Sequence, residues 1–186
     1  GDLTDSVGGS HATIVEVGAN NVTQNPASVT LTGGDKAASD YVSLGSQLLP
    51  KSTTPVTIEL WAKQNSIQNW SRIFDFHSGT TEYLMMAWTM GQNNATDRLE
   101  FNDNATSVLI DNKNQPYGTA EEYHIVVTLE PLAGASGRTR ISLYTAASGA
   151  TDLGPAKAVA ETTSTLVHFN DALNALGYSP WPDNTA

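Results

Sequence analysis

Within residues 56–63, Val56, Ile58, Leu60 and Ala62 alternate with Thr57, Glu59, Trp61 and Lys63. A helix would repeat its apolar residues every 3.6 positions, so a period of two excludes helix and describes a half-buried strand. One face is aliphatic, and the other carries an acid, an indole and an ammonium. Ile73, Asp75 and His77 then alternate with Arg72, Phe74 and Phe76, and a third run holds Tyr83, Leu84, Met85, Met86 and Trp88. Each of these consecutive strands brings an aromatic ring, and the first two add charges. The stretch reads as a sheet that buries one face and offers the other to a ligand.

Comparable runs predict further strands near residues 13–17, 28–32, 41–44, 98–101, 107–110, 123–129, 139–145 and 157–160. Turn clusters such as Gly33-Gly34-Asp35 and Ser148–Gly154 separate them. Many short strands punctuated in this way predict an all-β fold, a two-sheet antiparallel β-sandwich. Pro131, Gly134 and Gly137 suit a hairpin loop joining the runs at 123–129 and 139–145. Asn170–Leu176 is expected to make one helical turn capped by Asp171.

Composition limits the function. The 186 residues fit a single domain large enough for its own core. With no cysteine, disulfides and thiolate metal sites are excluded. A formal charge of −10 opposes binding to nucleic acid or to an anionic membrane, and no apolar run is long enough to span a bilayer.

The order of several segments resembles a known family. Asp40–Leu44, Val56–Lys63 and Arg72–Phe76, followed by Glu122–Thr128, Ile141–Tyr144 and Leu176–Trp181, are similar to the bacterial laminin-G-like, concanavalin-A-like jelly roll. That resemblance implies two curved antiparallel sheets, and a family of carbohydrate- or protein-binding modules attached to larger secreted enzymes and adhesins. It also implies a strand before Gly1–Gly9 and another after Trp181–Asp183, which this sequence does not supply. The chain therefore reads as a fragment or trimmed core of a larger polypeptide, with residues 1–186 forming one domain.

Glycosidases on this type of fold place paired carboxylates on one strand in a pattern like Glu-X-Asp-X-X-Glu, so that acid and nucleophile flank one bond. No such pattern occurs here. Glu59 and Asp75 fall on neighbouring predicted strands and could meet across a sheet, but two exposed sheet acids are ordinarily solvated surface. His11, His77 and His168 lack the spacing of a zinc site, and His124, on a predicted strand, reads as a structural histidine. Asp2, Asp5, Gly34 and Asp35 lie in loops resembling those where the superfamily holds a structural calcium, and turn-forming aspartates are the simpler account of them.

Sugar recognition rests on aromatic rings, whose faces stack on the apolar side of a pyranose while nearby polar groups bind its hydroxyls. The candidate set is Glu59, Trp61, Trp70, Asp75, Trp88, Arg98 and Glu100. Parity puts Glu59 with Trp61 and Met86 with Trp88; Trp88 suits a core as well as a ligand contact. The sequence thus points to a non-catalytic module of a secreted or cell-surface bacterial protein that binds a glycan. The alternatives are a structural or adhesive protein-interaction module, and a glycoside hydrolase or lyase.

Overall fold

A computed structural model describes residues 3–90, 97–104, 107–110, 117–132 and 137–182. The early strands are β1 (Thr13–Val15), β2 (Thr23–Asn25), β3 (Ser28–Thr30) and β4 (Tyr41–Gly45). The middle of the chain supplies β5 (Val56–Lys63), β6 (Arg72–His77), β7 (Glu82–Ala87), β8 (Arg98–Asp103) and β9 (Ser107–Ile110). The chain continues through β10 (Glu122–Pro131), β11 (Thr139–Ala147), β12 (Ala158–Thr162) and β13 (Leu173–Leu176). There is no helix among the described residues.

A seven-stranded sheet runs β1-β4-β13-β6-β7-β8-β9, and a four-stranded sheet runs β12-β11-β10-β5. β2 and β3 form a separate hairpin. All pairings between strands are antiparallel. The two larger sheets enclose one core, in which Phe74, Leu84, Met86, Leu99 and Phe101 meet Ile125, Val127, Leu129, Ile141 and Leu143. These residues sit at alternate positions of their strands, which is why each strand gives one side to the core.

The alternation read in β5 matches its burial: Val56, Ile58, Leu60 and Ala62 pack against the core while Thr57, Glu59, Trp61 and Lys63 face outward. The predicted hairpin also forms, with β10 and β11 paired from Tyr123↔Ala147 to Pro131↔Thr139.

Two expectations change. The chain crosses from one sheet to the other between β5 and β6, so the stretch 56–88 does not form one sheet. Glu59 and Asp75 consequently lie on different sheets and cannot face each other across neighbouring strands. The expected helical turn at 170–176 is instead largely β13, which fills the gap between β4 and β6. Leu, Asn and Ala carry only a weak helical bias there, and two flanking ladders override it. Asp171 is fully buried and accepts from Leu49 N (3.1 Å) and Asn174 Nδ2 (3.0 Å), tying two loops together rather than capping a helix.

Candidate functional site

β10 is the common neighbour of β5 and β11, and its register sets Trp61 opposite His124 and Glu59 opposite Val126. Trp61 is 58% exposed, the most open aromatic side chain of the sheet's outer face. Its ring stacks on the His124 imidazole with centroids 4.2 Å apart and planes at 7°. His124 Nε2 lies 2.8 Å from Glu59 Oε1. A carboxylate can only accept, so this contact assigns the Nε2 proton to the histidine. The indole is thus held flat by a ring that is itself held by an acid two residues away on β5.

Beside this shelf runs a groove of about 410 Å³, walled by Trp61, His124 and Ala147 on one side and by Gly149–Leu153 on the other. The loop after β11 is pinned to the sheet: Ser148 N donates to Glu122 O (2.8 Å) and Ser148 Oγ to Glu122 Oε2 (2.6 Å). Asp152 Oδ1 accepts from Gly154 N at 2.6 Å, an Asx turn that leaves the carboxylate at the groove. A flat indole, a backbone-rich wall and one acid make a surface suited to a ring with an apolar face and hydroxyl edges.

On the opposite surface, the outer side of β6 and β7 is covered. β6 is buried along its whole length and β7 nearly so, although every second residue there points away from the main core. A strap at residues 177–182 lies over that outward face. Gly177 turns into it at φ 71°, and a Cβ there would run into the Leu31 side chain. Tyr178 packs on Tyr41 (4.6 Å) and His77 (5.7 Å), and Trp181 packs edge-on to Tyr83 (4.7 Å). Lys36 Nζ secures the strap by donating to Ser179 O (3.1 Å) and Pro180 O (3.0 Å).

Beneath the strap, Asp75 is 0% exposed and accepts from Arg72 Nε (2.9 Å), with His77 Nδ1 at 3.1 Å from its other oxygen. The Arg72 guanidinium also donates to Trp70 O (2.7 Å) and lies 5.2 Å from the Trp181 ring centre. Trp70 and Trp181 together cover Tyr83, Met85 and Ala87, a second small core. Tyr83 Oη donates to Glu100 Oε1 (2.6 Å), and burial, aided by that carboxylate, pushes the phenol's pKa up.

The expected binding set therefore divides. Glu59 and Trp61 share the exposed shelf. Asp75, Trp70, Arg98 and Glu100 belong to the covered face, where Arg98 lies 5.3 Å from the Trp70 ring centre. Trp70 is half-buried and held at φ 56°, a left-handed conformation that bulky residues rarely adopt. Trp88 points into the main core, edge-on to Tyr117. These five residues cannot join Trp61, because the whole core stands between the two outer faces.

Of the expected calcium loops, Asp2 lies outside the described residues. Asp5 closes its own loop: Oδ1 accepts from Val7 N (2.8 Å) and Gly8 N (2.9 Å), and Oδ2 from Ser10 N (2.9 Å). Those backbone donors hold its pKa down to about 2. Gly34 N donates to Gln68 Oε1 (2.7 Å), and Asp35 Oδ1 accepts from Ala37 N (2.9 Å). Among the described residues no group of three or more acids and histidines gathers to hold a metal ion.

Residue reading alone missed His124 as the partner of Trp61, the groove wall at Gly149–Leu153 and the covering role of Tyr178. The pairing of β5 with β10 makes the first visible, since His124 and Trp61 then occupy one cross-strand row. The wall and the strap depend on how loops fold back, and no period reports that.

Two curtains of antiparallel strands around one core, with an aromatic shelf on an outer face, define a lectin-like β-sandwich. Residues 35–186 match the family model described as the concanavalin A-like lectin/glucanases superfamily, and the chain belongs to that superfamily. Among solved structures it is similar to domain 4 of AbnA, a GH43 extracellular arabinanase from Geobacillus stearothermophilus, solved in complex with arabinotriose. That likeness has a TM-score of 0.63 at 16% identity and covers 99% of this chain and 82% of the other, so it speaks for the fold. No curated protein matches by sequence.

Proposed function

We propose that this domain is a non-catalytic carbohydrate-binding module whose binding surface is the Trp61–His124 shelf and the groove beside it. The observation that carries the reading is the 58% exposure of an indole held flat against a second ring. Exposing a ring of that size forfeits burial worth about 1.5–3 kcal/mol, so a fixed, open indole at a groove fits a surface kept for a ligand. The superfamily and the arabinotriose-bound relative support a glycan as that ligand.

Neutral sugars suit the surroundings, because Glu59, Glu122 and Asp152 would repel acidic chains. The non-catalytic reading is supported by the separation of Glu59 and Asp75 onto different sheets, which removes that pair as an acid and nucleophile flanking one glycosidic bond. Attachment to a secreted enzyme or cell-surface protein accords with the extracellular relative; no described helix is long and apolar enough to cross a membrane.

Affinity electrophoresis in gels containing arabinan, xylan or β-glucan tests the proposal. Retardation by one of these neutral polymers is expected, and Trp61→Ala abolishes it while thermal unfolding stays cooperative. Retardation that survives Trp61→Ala places the site elsewhere.

A further inference from the structure

The four-stranded sheet ends at β5, and that edge is unlike the others. β1 has three residues, β9 four and β12 five, whereas β5 has eight. β12 also lies against β9, closing that side of the sandwich. Among the described residues no backbone hydrogen bond reaches the free side of β5. Its core-facing row of Val56, Ile58, Leu60 and Ala62 is only half-buried, while their neighbours Ile125 and Val127 on β10 are fully buried. Proteins ordinarily blunt such an edge with charged side chains, proline, an inward-pointing charge or a bulge. β5 follows Pro55 and carries two outward charges, Glu59 and Lys63, but no proline, inward charge or bulge interrupts the strand itself.

We infer that the free edge of β5 pairs antiparallel with β5 of a second copy of this chain, joining the two four-stranded sheets into one. The sequence of the strand favours this occupant because it complements itself. A two-fold axis requires residue i to meet j while j meets i, and both must point to the same face. Of the registers that satisfy this, two overlap the most strand. Centring on Glu59 sets that carboxylate opposite its own copy, which is repulsive. Centring on Leu60 pairs Ile58 with Ala62, Glu59 with the partner's Trp61 and Thr57 with the partner's Lys63, with no like charges opposed.

In the Leu60-centred register the half-buried aliphatic rows of both copies shield each other. The two Trp61 side chains become diagonal neighbours about 7–8 Å apart on one outer face, and the two Glu59 carboxylates sit diagonally rather than directly opposite each other. The shelf is thereby doubled, a consequence that rests on the sugar-binding reading; the pairing itself does not. One pair of strands makes a small interface, so the dimer belongs to the weak, transient class.

Sedimentation velocity on the 186-residue chain, from about 10 µM to about 1 mM, spans the range expected of such an interface. A concentration-dependent monomer–dimer equilibrium is expected. Thr57→Glu puts a carboxylate opposite the partner's Lys63 at two symmetric places and tightens the dimer several-fold. Thr57→Lys opposes like charges at the same two places and weakens it several-fold. Thr57 is exposed on the outer face, so both variants keep the fold. A monomer throughout the range overturns the proposal, and so does a dimer that is indifferent to both substitutions. Because Trp61 also lies in the proposed pairing, the dimer is judged on the Thr57 variants, which leave Trp61 in place, and loss of glycan retention in Trp61→Ala does not decide it.

Discussion

Trp61 and His124 sit on adjacent strands with ring planes 7° apart and centroids at 4.2 Å, and His124 in turn meets Glu59 at 2.8 Å. The imidazole is a backing plate for the indole. An aromatic pair of this kind is worth about 0.5–1.5 kcal/mol beyond its buried area. His124→Ala frees the indole to leave its plane and should weaken glycan affinity by up to about tenfold. His124→Phe restores a flat ring beneath Trp61 and recovers most of the affinity. Isothermal titration calorimetry with the retained glycan distinguishes the two. Equal losses in both variants would show that the histidine contacts the ligand rather than positioning the indole.

Asp75 illustrates how a residue expected at a ligand site can be structural. Its carboxylate is buried between Arg72 and His77, and removing one member of such a pair strands the other charge in a low-dielectric setting. Asp75→Asn keeps the volume and loses the charge, and should cost about 3–5 kcal/mol of stability. Urea unfolding measures this as a lower midpoint. Glycan affinity of the folded fraction is expected to stay at its original value, since the shelf lies across the core.

The sequence was legible wherever a strand shows water on one side only. β5 alternates cleanly and its burial follows the pattern residue by residue, and β8 does so from Arg98 to Phe101. Legibility fails where both faces are covered. β6 reads Arg72, Ile73, Phe74, Asp75, Phe76, His77, and charged residues in that run look like a solvent face until the strap at 177–182 is seen to lie on them. The strap is held by Lys36 from far along the chain and by ring contacts, neither of which leaves a periodic trace. Of the shelf, Trp61 and Glu59 were readable by parity; His124 was not, because the choice of β10 as partner for β5 is made by tertiary packing.

Asp5 gives a local pH response. Three backbone N–H groups favour its charged form, so its folded pKa is lowered from 3.8 to about 2. A depressed carboxylate contributes stability above its ordinary pKa and loses that contribution as pH falls toward the folded value. The loop from Asp5 to His11 should therefore stay ordered through pH 4 and loosen as pH approaches about 2. The amide signals of Val7, Gly8 and Ser10, followed by NMR, should move together with the Asp5 carboxyl. Titration at the ordinary value of 3.8 would mean that the three hydrogen bonds do not persist in solution.

Trp181 separates the two faces as possible sites. Its ring meets Tyr83 edge-on and lies 5.2 Å from the Arg72 guanidinium, so Trp181→Ala uncovers both and should destabilise the protein by about 1–3 kcal/mol for a half-buried ring. Water then reaches the Tyr83 phenol, whose pKa burial and Glu100 hold above its ordinary value. Spectrophotometric titration should show that tyrosine moving back toward the ordinary value of 10. Because a raised phenol pKa favours the neutral form, its stabilising effect is present below the ordinary value and is lost as pH rises through the folded one. Glycan retention should be unchanged in Trp181→Ala and abolished in Trp61→Ala. The reverse result would assign recognition to the seven-stranded sheet and leave the exposed indole of β5 to the pairing of two copies.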